Sequence, residues 1–156
     1  MDAVFKMEHA VFNYRVVGIW IHNGHILVHR DVNDQEQWSL PGGRVQIGED
    51  SAASLVREFQ EELGTDIRAS RLLFSTENFF TFDGKKFHEI GFYYEVENDD
   101  TSLFGGEPFH GPEGERLIYQ WVPVHELADF PLKPDFLREA LQLPADQPRH
   151  VVVRDS

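Results

Sequence analysis

Residues 43–65 read GRVQIGEDSAASLVREFQEELGT, and the fold can be worked outward from them. The apolar residues Ala52, Leu55, Val56, Phe59 and Leu63 recur at i, i+3, i+4, i+7 and i+11, the period of a helix that buries one stripe. Asp50 or Ser51 supplies an oxygen to cap the first turn, and Gly64 suits the left-handed position just past the last. The spacing therefore predicts a helix from Asp50 to Leu63. Glu58, Glu61 and Glu62 are related by three and four residues, so this helix carries all three carboxylates on its opposite face. Like charges at that spacing destabilise a helix by roughly 0.2–0.5 kcal/mol per pair. A hard divalent cation offsets such repulsion. Magnesium takes oxygen ligands and is held by one or two carboxylates together with substrate phosphates.

Most acidic helix faces are solvated surface and nothing more. Three neighbours argue for a different reading here. Arg57 lies one turn from Glu61 and is placed to orient its carboxylate. Gly42-Gly43 lets the backbone approach a metal or a phosphate with no side chain between them. Glu49 adds a fourth carboxylate just ahead of the helix.

The spacing Gly43-x5-Glu49-x7-Arg57-Glu58-x-x-Glu61-Glu62-x-Gly64 resembles the signature of the Nudix hydrolases, the MutT-like family. Every fixed polar or glycine position of that signature is filled; Phe59 and Thr65 depart from its aliphatic positions. The resemblance implies an α+β fold, an α/β/α sandwich around a mixed β-sheet. It also implies hydrolysis of a nucleoside diphosphate linked to another group, by water attack on phosphorus with magnesium or manganese. Residue by residue, it makes Glu58, Glu61 and Glu62 the metal set, with Glu58 or Glu61 accepting the water's proton. It makes the Gly42 carbonyl a further ligand and Glu49 a support for the loop or the metal site. Arg57 becomes the orienting residue, and Arg44 and Glu49 the substrate-binding ones. Many members add an acid from a later loop. Glu115 is assigned that catalytic role, with Glu113 beside it in GPEGERLIYQW and Glu107 in reserve.

Composition sets outer limits. A chain of 156 residues suits one domain with a substantial core, here 1–156, with the first dozen residues and the tail after 144 as extensions. There is no cysteine, so no disulfide or thiolate chemistry, and no long apolar run or signal-like N-terminus. The expected location is cytoplasmic, with no membrane partner. A net charge of −13 argues against nonspecific nucleic-acid binding, which needs a basic surface to displace counterions. It also means that a phosphate ester must be met through cations.

Along the chain, residues 16–30 read as two strands around the Asn23-Gly24 turn. Trp38 to Pro41 leads into the glycine turn. Residues 72–82 and 87–97 form a hairpin at Asp83-Gly84, followed by a Gly- and acid-rich loop over 98–116. Then come a strand over 117–123, a helical turn over 125–129, an amphipathic helix over 135–143 and a last strand over 150–154. Strand and helix runs in that order predict a mixed sheet with helices on its faces.

The remaining residues carry smaller readings. The eight histidines lack metal-ligand spacing and read as surface or packing residues. Arg15, Arg30 and Arg44 are candidate phosphate contacts, and the Phe-rich segment over 79–87 is a candidate homodimer contact. In the family, ADP-ribose hydrolases often carry a proline downstream of the signature, and dinucleoside polyphosphate hydrolases a tyrosine. No proline lies between Thr65 and Glu107, and the corresponding stretch is Phe79-Phe80-Thr81-Phe82. That favours a nucleoside triphosphate as the substrate, with ADP-ribose or a nucleotide sugar as the alternative. A nucleotide sensor without turnover is the second alternative, and it fits poorly with three intact glutamates.

Overall fold

A computed structural model describes residues 1–144 and 146–154. The strands are β1 (Val4–Lys6), β2 (Ala10–Ile19), β3 (Ile21–His22), β4 (His25–Asp31) and β5 (Gly42–Arg44), followed by helix α1 (Ser51–Leu63). Then come β6 (Arg68–Phe82), β7 (Lys85–Glu97), β8 (Leu117–Pro123), a 3-10 turn (Val124–Asp129), α2 (Phe136–Ala140) and β9 (Arg149–Arg154). Of the tail expected beyond Leu143, residues 145, 155 and 156 lie outside the described residues.

Two sheets result. The larger runs β1-β2-β7-β6-β9, with β5 pairing onto the same strand, β2; the smaller is β3-β4-β8. β2 runs parallel to β7 and β6 parallel to β9, while the remaining pairs are antiparallel, so the sheet is mixed as expected. Asn23 and Gly24 both take positive φ in the β3–β4 turn, and Asp83 and Gly84 do the same between β6 and β7.

Helix α1 starts at its Asp50 cap, whose side chain accepts from the Ala53 N–H, and ends at Gly64 in the left-handed conformation. Leu55, Phe59 and Leu63 are buried against Val16, Val96, Ile67 and Trp20. Each such side chain contributes roughly 1.5–3 kcal/mol on leaving water. Phe59 fits because Gly18 lies beneath it: a Cβ on Gly18 would stand 2.7 Å from the Phe59 ring. Thr65 is buried too, and its hydroxyl accepts from Asn98 Nδ2 at 2.8 Å. Both departures from the signature therefore have local partners. The opposite side of the large sheet (Val17, Phe74, Tyr93) packs against Leu127 of the 3-10 turn, Leu132 and Leu137 of α2. Helical elements thus cover both faces.

The first dozen residues, expected as an extension, include β1 and the start of β2. Three expectations need correction. Gly42-Gly43 is not a free turn but part of β5, with Gly43 opposite Val16 and Arg44 opposite Arg15. The second helix stops at Ala140 and is capped by Leu141, shorter than the residues 135–143 expected. Finally, the buried stripe of α1 takes in Ser51 and Ser54, whereas Ala52 and Val56 are only half-buried. Ser51 Oγ bonds Tyr94 Oη at 2.7 Å, and Ser54 Oγ accepts from Arg57 at 3.2 Å, so partners offset the burial of both hydroxyls.

Candidate functional site

The three helix carboxylates do not share one solvated face. Glu61 is half-exposed, but the Glu58 side chain is only 13% exposed because α1 lies against β5. Its carboxyl group occupies the space where a Cβ of Gly43 would stand, so a side chain there would displace Glu58. A Cβ on Gly42 would collide with the Val16 carbonyl oxygen. The glycine pair is therefore a cradle, with sheet backbone on one side and a glutamate on the other.

Arg57 ties this corner together. Its Nε and Nη2 donate to the two Glu49 oxygens at 3.0 and 3.1 Å, a bidentate pair. Its Nη1 donates to Glu58 at 3.1 Å and to Glu61 at 3.1 Å. Nη2 also reaches the Arg44 carbonyl at 3.4 Å. Glu49 is held below the usual carboxylate range, first by its hydrogen bond from Arg57. With both oxygens engaged by that arginine, Glu49 sits behind the cleft and does not line it.

Glu62 has no such partner. Burial, then the neighbouring Glu58 and Glu113 carboxylates, push it up to about 8. Among the described residues, Tyr119 Oη approaches as a donor, at 3.5 Å. Glu58 is also raised by burial, against the opposing pull of Arg57. Two desolvated carboxylates thus stand beside a glycine cradle with one arginine between three glutamates. The donor set is hard oxygen throughout, which fits magnesium or manganese and excludes a soft thiolate metal.

Glu58, Glu62, Gly42 and Gly43 line one side of a cleft of about 590 Å³. Its other walls include Arg15, His29, Arg44, Trp38, Arg116 and Lys133. Arg30 also borders it, with its guanidinium over the Trp38 ring at 5.4 Å. A small side pocket of about 70 Å³ opens beside Glu62 and Tyr119, and it is lined by Glu113.

The expected residues are therefore gathered unevenly. Gly42, Arg44, Glu58 and Glu62 meet at the cleft, and Glu61 joins them through Arg57. The loop acids Glu107, Glu113 and Glu115 are all exposed; Glu113 lines the side pocket with Glu62 and acts on it electrostatically, while Glu115 and Glu107 line neither the cleft nor its side pocket. The sequence reading passed over His29, which is buried in the cleft wall, and Tyr119. Alternation along HILVHRD, opposite the register partner Tyr119, was the available signal.

The family model described as NUDIX domain matches residues 13–143. An RNA pyrophosphohydrolase of Rhodospirillum rubrum is 36% identical over 128 residues, covering 71% of this chain and 73% of that one. The putative mutator protein MutT4 of Mycobacterium tuberculosis is 34% identical over 92 residues, 58% of this chain and 34% of that one. The putative ADP-ribose pyrophosphatase YjhB of Bacillus subtilis is 45% identical over 58 residues, 37% of this chain and 27% of that one. The chain thus spans about a third or less of the length of those last two relatives. Among solved structures, the E. coli ORF135 protein superposes with a TM-score of 0.57 at 26% identity, over 84% of this chain and 89% of that one.

Proposed function

The chain belongs to the Nudix family, and on that footing we propose that it is a divalent-metal-dependent pyrophosphohydrolase acting on a nucleoside diphosphate linked to a further group. The observation that carries the reading is the pair of desolvated carboxylates, Glu58 and Glu62, packed against the Gly42-Gly43 cradle and both raised first by burial. A site built this way is costly unless a cation completes it.

Glu58, Glu61, Glu62 and the Gly42 carbonyl would hold magnesium or manganese. When bound, such an ion neutralises phosphate charge and makes attacking water easier to deprotonate. The chain's own residues do the rest. Arg57 fixes the rotamers of Glu58 and Glu61 by donating to both, and Glu49 fixes Arg57. Glu58, buried and raised, is suited to accept the water's proton. Glu113, across the side pocket from Glu62, takes the place of Glu115 as the loop acid. Arg44 lines the cleft as a phosphate contact.

The preferred substrate is a nucleoside triphosphate. Two of the chain's relatives are named for other substrates, RNA and ADP-ribose. The protein with magnesium or manganese should therefore meet a panel of nucleoside triphosphates, a 5′-triphosphorylated oligonucleotide, ADP-ribose and nucleotide sugars. Products would be read by chromatography and mass detection. Metal-dependent release of a nucleoside monophosphate from a triphosphate is the expected result. Tight binding of one nucleotide with no cleavage of any would overturn the hydrolase reading and favour a sensor.

A further inference from the structure

His29 is the buried titratable group that this chemistry leaves unused. It lies on β4, 8% exposed, in the wall of the cleft, directly across the β4–β8 pairing from Tyr119. Its Nδ1 is sealed from solvent and has no hydrogen-bond partner. A sealed nitrogen with no acceptor disfavours carrying the proton, so the ring hydrogen belongs on Nε2. Nε2 also has no partner among the described residues, yet it is not among the sealed atoms, so it opens toward the cleft. Burial and the nearby Arg15 and Arg116 hold the ring neutral, down to about 4. The result is an N–H donor in a cleft wall with nothing in the protein to receive it.

Cations line the cleft around it. Arg15 and Arg44 stand directly opposite each other in the β2–β5 register, and both line the cleft. Like charges in that relation destabilise a sheet. Among the described residues neither is in an ion pair within 4.0 Å, although half-buried Glu89 acts on both from a distance and Glu58 and Glu62 act on Arg15. An anion in the cleft would relieve the repulsion and receive the unused imidazole hydrogen at once. Arg116 joins from β8's leading edge, tied loosely to Asp31 at 3.6 Å.

We propose that His29 Nε2–H, with Arg15 and Arg44, forms a phosphate subsite in the cleft wall, so that the group carried beyond the substrate's diphosphate is itself a phosphate and not a sugar. This rests on the pyrophosphohydrolase reading and deepens it: His29 becomes a specificity-determining residue. A neutral donor flanked by guanidiniums recognises an anionic oxygen at little desolvation cost to itself.

The test is calorimetric binding of inorganic tripolyphosphate in magnesium buffer, to the wild type and to His29→Phe, His29→Gln and Arg15→Gln, with melting temperatures to check the fold. Phe keeps the ring shape without a donor, and Gln restores an N–H at a similar reach. His29→Phe and Arg15→Gln should each weaken binding about tenfold or more, the scale of a lost charge-assisted hydrogen bond. His29→Gln should recover part of it. ADP-ribose binding should change little in His29→Phe. Wild-type affinity in a folded His29→Phe would overturn the subsite, and so would equal losses for tripolyphosphate and ADP-ribose or no tripolyphosphate binding by the wild type. Because this measures binding, donor-dependent tripolyphosphate affinity without hydrolysis of any panel member would support the subsite while removing the hydrolase reading.

Discussion

Arg57 has more hydrogen bonds to carboxylates than any single role would require, and that is what makes it informative. Its guanidinium is shared among Glu49, Glu58 and Glu61 in a fixed planar fork. Lysine keeps the charge but cannot reproduce the fork, so Arg57→Lys should free Glu58 and Glu61 to turn. Residues that orient metal ligands typically matter by a factor of about 10–100 in affinity or activity. We expect a loss of that size in kcat and in magnesium affinity, read by steady-state kinetics and calorimetry; kcat within a factor of about two would remove the orienting role. At this scale the sequence was legible where spacing along one helix decides proximity, as for Arg57 and Glu61. It was not legible for Glu49, eight residues away, whose contact with Arg57 depends on how the loop folds back. Nor did it expose His29, since burial of a strand histidine depends on what packs across from it.

At the scale of elements, the site is made by α1 lying on β5 so closely that Glu58 takes the space of a Gly43 side chain. Gly43→Ala should therefore push Glu58 off its position while leaving the helix caps and the Leu55–Phe59–Leu63 contacts in place. Turnover should fall by about two orders of magnitude or more, as when a reacting group is misplaced by an ångström, with only a modest fall in melting temperature. Normal turnover would show that the glycine serves the strand alone. The loop before β8 offers a paired test. Glu113→Gln should impair catalysis and Glu115→Gln should not, since only Glu113 lies near Glu62. The reverse pattern in kcat would restore the sequence-based choice. Which of the two acids faces Glu62 was not legible in the sequence, because a loop with Gly111 and Gly114 carries no periodicity. The same lack of side chains hid β5, because a Gly-Gly strand shows no alternation. α1, the Asn23-Gly24 turn and the β6–β7 hairpin were legible because caps, turn residues and hydrophobic period agreed there.

For the whole molecule, a net charge of −13 concentrates its effect where carboxylates are buried. Glu62, held up to about 8 against an ordinary 4.5, keeps its proton in the folded state where the unfolded chain has lost it. The stability this gives is complete below about 4.5 and is lost as pH rises through about 8. His29 acts oppositely: lowered from 6.5 to about 4, its contribution builds over that interval and is complete above it. Between pH 6.5 and 8 the metal-free protein should therefore lose melting temperature. Glu62→Gln should flatten the decline, and saturating magnesium should reverse it by favouring the ionised form. Differential scanning calorimetry without metal checks this, and a flat wild-type profile across that range would show that Glu62 is not desolvated in solution.

The central claim is that the carboxylates around the Gly42-Gly43 cradle hold a metal that drives cleavage of a phosphoric anhydride. The most direct test follows release of nucleoside monophosphate from a nucleoside triphosphate as magnesium is titrated from zero, for the wild type and Glu62→Gln side by side. The account predicts no release without metal, saturable release with it, and a rate in Glu62→Gln lower by about a hundredfold or more at saturating magnesium. Release that needs no metal, or an undiminished Glu62→Gln rate, would contradict it.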